Sequence, residues 1–521
     1  MGNNIWTTLY LYTRLAFDLV VDFFFSLYWD RRKKPIPDLD KKHAMLTESA
    51  LTLAKKIRQK ELKSEDLVRT VIERIKEVNP LLNAVVADRY EAAIAEAKEV
   101  DVLIASGISE EEASKKPFLG IPFTSKESVA VKGLPFTLGL WWRRKEVATE
   151  DSEAVVRLKA AGAIPIAVTN LPELAWQETR NPVYGMSRNP HHTGRSPGGS
   201  SGAEAALAAS CASVVSLSTD LGGSTRMPAF YCGLFGHHAT PGNTNSKGTY
   251  FHKVHVEDTM LSLGFISKHA EDLGPLTKVI AGDKADKLKL DRVVDIKDIK
   301  FYYMESSNDL MLSTISADLR GAMKRVITRI SQETTSSDKA PEPYYHRGFD
   351  HMYNIWKYWT TKEVDHKDFL QTTRTGAANG LVELAKKVVG LSHNCLFTIM
   401  RLIEDQYLPK VDSEWAEKIS KELKEDLFSK LGDNGVLLLP SGPQPAPYHY
   451  SCFLRPYNSS YWGIVNALKC PATQVPLGVN SQGLPLGIQV LAAPYNDALC
   501  LTVAKYLEKE FGGAVRVCKL K

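Results

Sequence analysis

The sequence predicts an α/β fold, and three observations predict it. A helical stretch capped by Ser152 stops at Gly162, and residues 163–168 follow as an apolar strand. Residues 118–125 are a short apolar run that ends by delivering Lys126. Residues 203–218 are small and apolar, Ala- and Leu-rich at first and then Val-Val-Ser-Leu-Ser, which reads as a helix from near Ser201 followed by a buried strand. Helix and strand alternating in this way give a doubly wound sheet.

Length and composition narrow the class. A chain of 521 residues has room for three domains or for one large α/β enzyme, and the order of the motifs favours the second. The composition, 44% hydrophobic and 24% charged, is that of a globular protein. A net charge of +5 is small for this length and forms no basic stripe, which argues against a nucleic-acid partner. The seven cysteines are scattered without a C-x-x-C pair, as expected of reduced thiols and no zinc site.

In chain order, residues 5–28 are aromatic and aliphatic and, as a helix, long enough to cross a bilayer. Arg14, Asp18 and Asp22 interrupt them at intervals of four, so they share one face and Arg14 can pair with Asp18. Residues 1–4 carry no Lys or Arg, against a secretory signal, and Trp6 argues against myristoylation at Gly2. The basic run Arg31-Arg32-Lys33-Lys34 follows. Two readings stay open: a single-pass helix with the body on the cytosolic side, or a monotopic helix lying in the interface.

Two amphipathic helices start at Glu48, the second with Leu67, Val71, Ile72 and Ile75 on one face. Residues 82–86 read as a strand and 89–105 as a surface helix. A helix with a polar connection covers 268–295, a strand 299–303 and a polar loop 334–343. Residues 351–359 are crowded with aromatics, and 380–403 are strongly apolar. Ordinary core and an acyl-chain tunnel or membrane-facing cap both fit these two segments. Strands at 436–439, 473–475 and 484–491 and a helix at 497–510 close the chain.

The chemistry gathers in residues 194–228. Two clusters, Gly198-Gly199-Ser200-Ser201-Gly202 and Gly222-Gly223-Ser224, stand 24 residues apart from Ser200 to Ser224. Glycine beside serine lets backbone approach a ligand and lets amides point inward. The first cluster also fits G-x-S-x-G, but that elbow needs a buried strand directly before it, and residues 189–197 (NPHHTGRSP) cannot supply one.

The first cluster, then Thr219-Asp220-Leu221-Gly222-Gly223-Ser224-Thr225-Arg226-Met227-Pro228-Ala229, with Lys126 upstream, resemble the amidase signature family. Ala203 departs from it where glycine is more frequent, a change in packing that the fold should tolerate. The resemblance runs from about residue 48 to 513. Phe118-Leu119-Gly120-Ile121-Pro122 and residues 483–490 are similar to the family's fatty-acid amide hydrolases.

The resemblance implies a single α/β domain, a large mixed sheet covered by helices, preceded by an N-terminal membrane helix. The chain then divides into an anchor (1–30), a basic, proline-containing linker (31–47), the amidase domain (48–515) and a tail (516–521). It implies hydrolysis of a lipid amide to fatty acid and amine through an acyl-enzyme on Ser224, with Ser200 as the bridging serine and Lys126 as the base. It implies a cis Gly199–Ser200 peptide and no metal or cofactor. A lysine base works only when neutral, so burial must lower its pKa from about 10.4 to near 7–8, and Glu127 must point away. The amides of Leu221, Gly222, Gly223 and Ser224 are the oxyanion-hole candidates. Ser201, Asp220 and Arg226 stand behind these groups, the last two as a structural pair. His191 and His192 read as surface or loop histidines. The partners are a lipid amide and a membrane, and a homo-oligomer stays open. The competing functions are the amidase subunit of a transamidating complex and a silent membrane-bound binding protein; fluorophosphonate labels an active enzyme and not a silent one.

Overall fold

A computed structural model describes residues 5–252, 259–334, 340–363 and 370–521. The readings on residues 1–4, and part of the 334–343 loop, lie outside them. Strands β1 (Val85–Asp88), β2 (Pro122–Lys126), β3 (Ile164–Thr169), β4 (Arg180–Asn181), β5 (Gly185–Met186), β6 (Val215–Asp220), β7 (Phe235–His238), β8 (Ser262–Ser267), β9 (Lys300–Tyr303), β10 (Glu342–Pro343), β11 (Gly435–Pro440), β12 (Ala472–Val479) and β13 (Pro485–Ala492) follow in sequence. Eleven of them form one sheet in the order β1-β3-β2-β6-β8-β7-β12-β13-β11-β9-β10, and β4 and β5 pair apart. The sheet is mixed: β2 runs parallel to β3 and β6, while β8 runs antiparallel to β6 and β7. The expected large mixed sheet is therefore present.

The helices of the first half are α1 (Ile5–Trp29), α2 (Ala50–Arg58), α3 (Ser64–Leu82), α4 (Tyr90–Ser106), α5 (Glu110–Ser114), α6 (Glu153–Ala160), α7 (Gly202–Ala209) and α8 (Arg226–Tyr231). Local chemistry starts them: Ser49 and Ser152 accept the backbone N–H of Thr52 and Val155 as N-caps. In α3, Leu67, Val71 and Ile75 are buried, as their spacing requires. Every residue of α7 is buried, so this helix lies inside the body.

Helix α1 overturns one expectation. Among the described residues no helix is long and apolar enough to cross a membrane, so the single-pass reading falls. Its charges lie on one face as predicted, and Arg14 and Asp18 are 3.7 Å apart. That face turns inward. Arg455 reaches Asp18 at 3.0 Å and Asp22 at 2.7 Å. Tyr12, Leu19, Phe23 and Phe24 turn outward and are 59–68% exposed. The helix is amphipathic with its polar stripe toward the protein, the reverse of a water-facing helix.

The linker and tail are also packed. Leu39 and Leu46 are buried, and the Leu39 N–H donates to the Lys519 carbonyl at 2.8 Å. The apolar residues between the basic run and Glu48 find core to cover them, which their polar surroundings in sequence concealed.

Candidate active site

Adjacent parallel strands bring the two halves of the motif together. Lys126 is the last residue of β2, and Thr219 and Asp220 end β6, so both strands present their carboxyl ends on one edge of the sheet. Open α/β sheets carry their sites at such ends. No strand precedes Ser200, and the Gly199–Ser200 peptide is cis. The Ser201 N–H donates to the Ser224 carbonyl at 3.2 Å and ties the two clusters. Gly199, Ser200, Thr219, Leu221, Gly222 and Ser224 line one cavity.

Lys126 is fully buried. Its ammonium donates to Ser200 Oγ and, at 2.8 Å, to Thr219 Oγ1. Burial lowers its pKa to about 7, against the pull of Asp220 and Glu204. Glu127 does point away: its carboxylate accepts the Thr137 N–H at 2.6 Å and the Leu138 N–H at 3.0 Å. Glu204 lies outside the motif and joins the site from α7. It is the one charged residue of α7, fully buried, and takes a hydrogen bond from Thr169 Oγ1 at 2.8 Å. The signal was an acid alone in GAEAALAA, where a buried charge demands partners. Activity that uses neutral Lys126 is expected to rise with pH through about 7 and to be higher at pH 8–9 than at pH 6. A pH profile of kcat/KM checks this, and a flat profile with chemistry limiting counts against the lysine.

Asp220 and Arg226 hold the second cluster in shape. Both are fully buried, 3.1 Å apart. The carboxylate also accepts the N–H of Gly223 at 2.7 Å and of Thr225 at 3.1 Å. Arg226 donates on to Gln489 Oε1 at 2.6 Å and Asn466 Oδ1 at 2.7 Å. Its guanidinium holds the Asp220 carboxyl well below the usual range despite burial. One expectation narrows here. The Gly223 amide serves Asp220, leaving the amides of Leu221, Gly222 and Ser224 without a hydrogen-bond acceptor among the described residues. Gly223 itself has φ +104°, and any Cβ there would run into Trp462. Trp356 covers the loop from outside, its indole N–H donating to the Leu221 carbonyl at 3.2 Å.

No hydrogen bond joins Ser200 Oγ to Ser224 Oγ, although both line the cavity. Ser201 Oγ is buried without a partner among the described residues. Ala203 is buried in α7, away from the cavity lining. His191 and His192 lie in a loop, as expected; His191 is half-buried and His192 buried. His191 contacts the Cys232 carbonyl at 3.0 Å, His192 is 8% exposed and meets Asp30 at 3.0 Å, and neither lines the cavity.

The family description "Amidase" matches residues 66–501, most of the chain and all of these groups. The chain belongs to the amidase family. This amidase is 40% identical to the fatty-acid amide hydrolase 2 of Homo sapiens over 486 residues, 90% of each chain. It is 38% identical to the fatty-acid amide hydrolase 2-B of Danio rerio, over 93% of each chain. A solved structure described as fatty acid amide hydrolase aligns with TM-score 0.72 at 19% identity, covering 91% of the amidase and 87% of that chain, which speaks for the fold alone. The amidase is thus an amide hydrolase with the predicted α/β architecture.

Proposed function

We propose that the protein hydrolyses fatty-acid amides at a lipid surface through an acyl-enzyme on Ser224. Neutral Lys126 takes the proton of Ser200, Ser200 takes that of Ser224, and Ser224 Oγ attacks the amide carbonyl. The tetrahedral oxyanion takes hydrogen bonds from the free amides of Leu221, Gly222 and Ser224. The relay then returns a proton to the amine as the C–N bond breaks, and water releases the fatty acid by the same path.

The observation that carries the fatty-acid reading is a second, aromatic-rich cavity that shares three lining residues with the first. Trp176, Gln177 and Trp356 line both, and Phe397, Met400 and Phe453 continue the second. Both apolar segments of the sequence contribute. Residues 351–359 give core, with Met352 and Ile355 buried, and the wall residue Trp356. The second forms helices Gly380–Val388 and Leu396–Tyr407; Leu381, Val388 and Leu391 are 49–82% exposed, while Phe397 and Met400 face the cavity. Aromatic contacts at 5.1–6.5 Å run from Trp29 at the end of α1 through Tyr450, Phe453 and Phe397 to Trp176. The outward face of α1 and the exposed face of residues 381–391 support a monotopic, membrane-associated body.

Each methylene moved from water into an apolar pocket gains about 0.8 kcal/mol, so eight carbons gain several kcal/mol. Turnover of soluble amides is therefore expected to rise steeply with acyl length, and a preference for short polar amides refutes the reading. Replacing Tyr12 and Phe24 by Asp leaves the docked face of α1 intact. That variant is expected to keep its rate on a short soluble amide and to lose about tenfold or more on long-chain amides in liposomes, the scale of two lost apolar anchors. Equal loss on both substrates counts against the membrane role.

A further inference from the structure

Among the described residues five arginines are buried: Arg74, Arg195, Arg226, Arg401 and Arg455. Four have a carboxylate at 2.5–3.1 Å, namely Glu77, Asp220, Glu404 and Asp18. Arg195 has none within ion-pair distance among the described residues. It is 6% exposed, and its guanidinium lies 3.7 Å from the centre of the Tyr448 ring. Nη1 donates to the Ala446 carbonyl at 2.7 Å and Nη2 to Gln482 Oε1 at 3.4 Å, while Nε has no acceptor. The nearby acids are engaged elsewhere, Asp22 with Arg455 and Asp30 with His192 and Tyr448. Asp22 and Asp30 act on Arg195 from beyond ion-pair distance, and a buried guanidinium without a direct carboxylate partner is costly, which leaves a place for an anion from outside the chain.

Arg195 lines a cleft of about 1100 Å³, counting the open solvent at its mouth, between α1 and the segment 444–455. Leu19 and Phe23 line it too, and both are among the apolar residues α1 turns outward. Asp22, Asp30, Asp318 and Arg455 complete its charged lining, with Ser26, Ser316 and Gln444 as hydrogen-bonding groups. We propose that this cleft binds the phosphate diester of a zwitterionic membrane phospholipid. The phosphate sits against Arg195, the headgroup ammonium faces the acids, and the acyl chains leave along Leu19 and Phe23. A guanidinium with free N–H groups suits a phosphate, and charges of both signs suit a zwitterion better than a simple anion. The inference rests on the lipid-surface reading of α1, but it concerns a site apart from the Ser224 cavity, with which it shares no lining residue.

The test titrates the full chain with dihexanoylphosphatidylcholine kept monomeric, followed by calorimetry, with inorganic phosphate and hexanoate run beside it. Saturable one-site binding by the phospholipid, at least tenfold tighter than either other probe, is expected. Arg195→Gln is expected to weaken it tenfold or more. Phe23→Asp, on an exposed residue where folding is not at stake, is expected to do the same, while Phe24→Asp, outside the cleft, leaves it unchanged. Equal binding of phosphate marks a plain anion site, equal binding of hexanoate a site for the product acid, and unsaturable uptake no site; each overturns the proposal. So does wild-type affinity in Phe23→Asp. Liposome co-sedimentation, run separately, tells the two readings apart: a protein that binds the monomer but ignores liposomes keeps the site and loses the membrane role.

Discussion

Ser224→Ala is expected to abolish acyl-enzyme formation and fluorophosphonate labelling, while Lys126→Ala and Ser200→Ala each lose at least about a hundredfold in rate, the scale of a positioned acid–base group. The geometry gives the reason for the difference. In the proposed mechanism Ser224 Oγ is the attacking atom, beside the amides of Leu221, Gly222 and Ser224 that have no acceptor among the described residues, so its loss removes the acyl carrier. Lys126 and Ser200 touch each other, and in the proposed relay they only move the proton of Ser224, so their loss slows the reaction without removing the attacking atom. Mass spectrometry of the trapped enzyme decides the matter. An acyl group on Ser200, or anywhere but Ser224, overturns the assignment.

Arg226→Met is expected to cost about 3–5 kcal/mol of stability, the usual loss when one partner of a buried ion pair is removed. The reason lies in what remains. Asp220 would keep its charge in the core with its guanidinium partner gone, and Gln489 and Asn466 would each lose a donor. Denaturant unfolding checks the figure. A variant that unfolds like the wild type but has lost its activity would make Arg226 part of the reaction rather than its frame.

Local chemistry was legible and long-range pairing was not. Ser200 and Ser224 stand on short loops whose glycines announce them, and the strand that ends in Lys126 is written in neighbouring residues, Pro122–Lys126. The Ser152 cap and the stripe of α3 are equally local. Glu204, Gln489 and Asn466 take their meaning from partners up to 263 residues away, and no periodicity carries that. The same holds for α1. The spacing of Arg14, Asp18 and Asp22 placed them on one face, but which side that face takes depends on Arg455, more than four hundred positions later. Read without Arg455, an apolar helix with charges looks like an imperfect span.

The docking of α1 decides how its exposed apolar face can be altered without loss of the fold. Its last residue, Trp29, packs edge-on against His449 at 5.0 Å, and Asp30 just beyond accepts from Tyr448 at 2.8 Å and meets His192, on the loop that leads into Gly198. Cutting the helix off would strip that loop of its backing and leave Arg455 facing the gap without its acids. Changing the outer stripe, Tyr12, Leu19 and Phe24, to polar residues removes the exposed apolar face with the docked helix left in place.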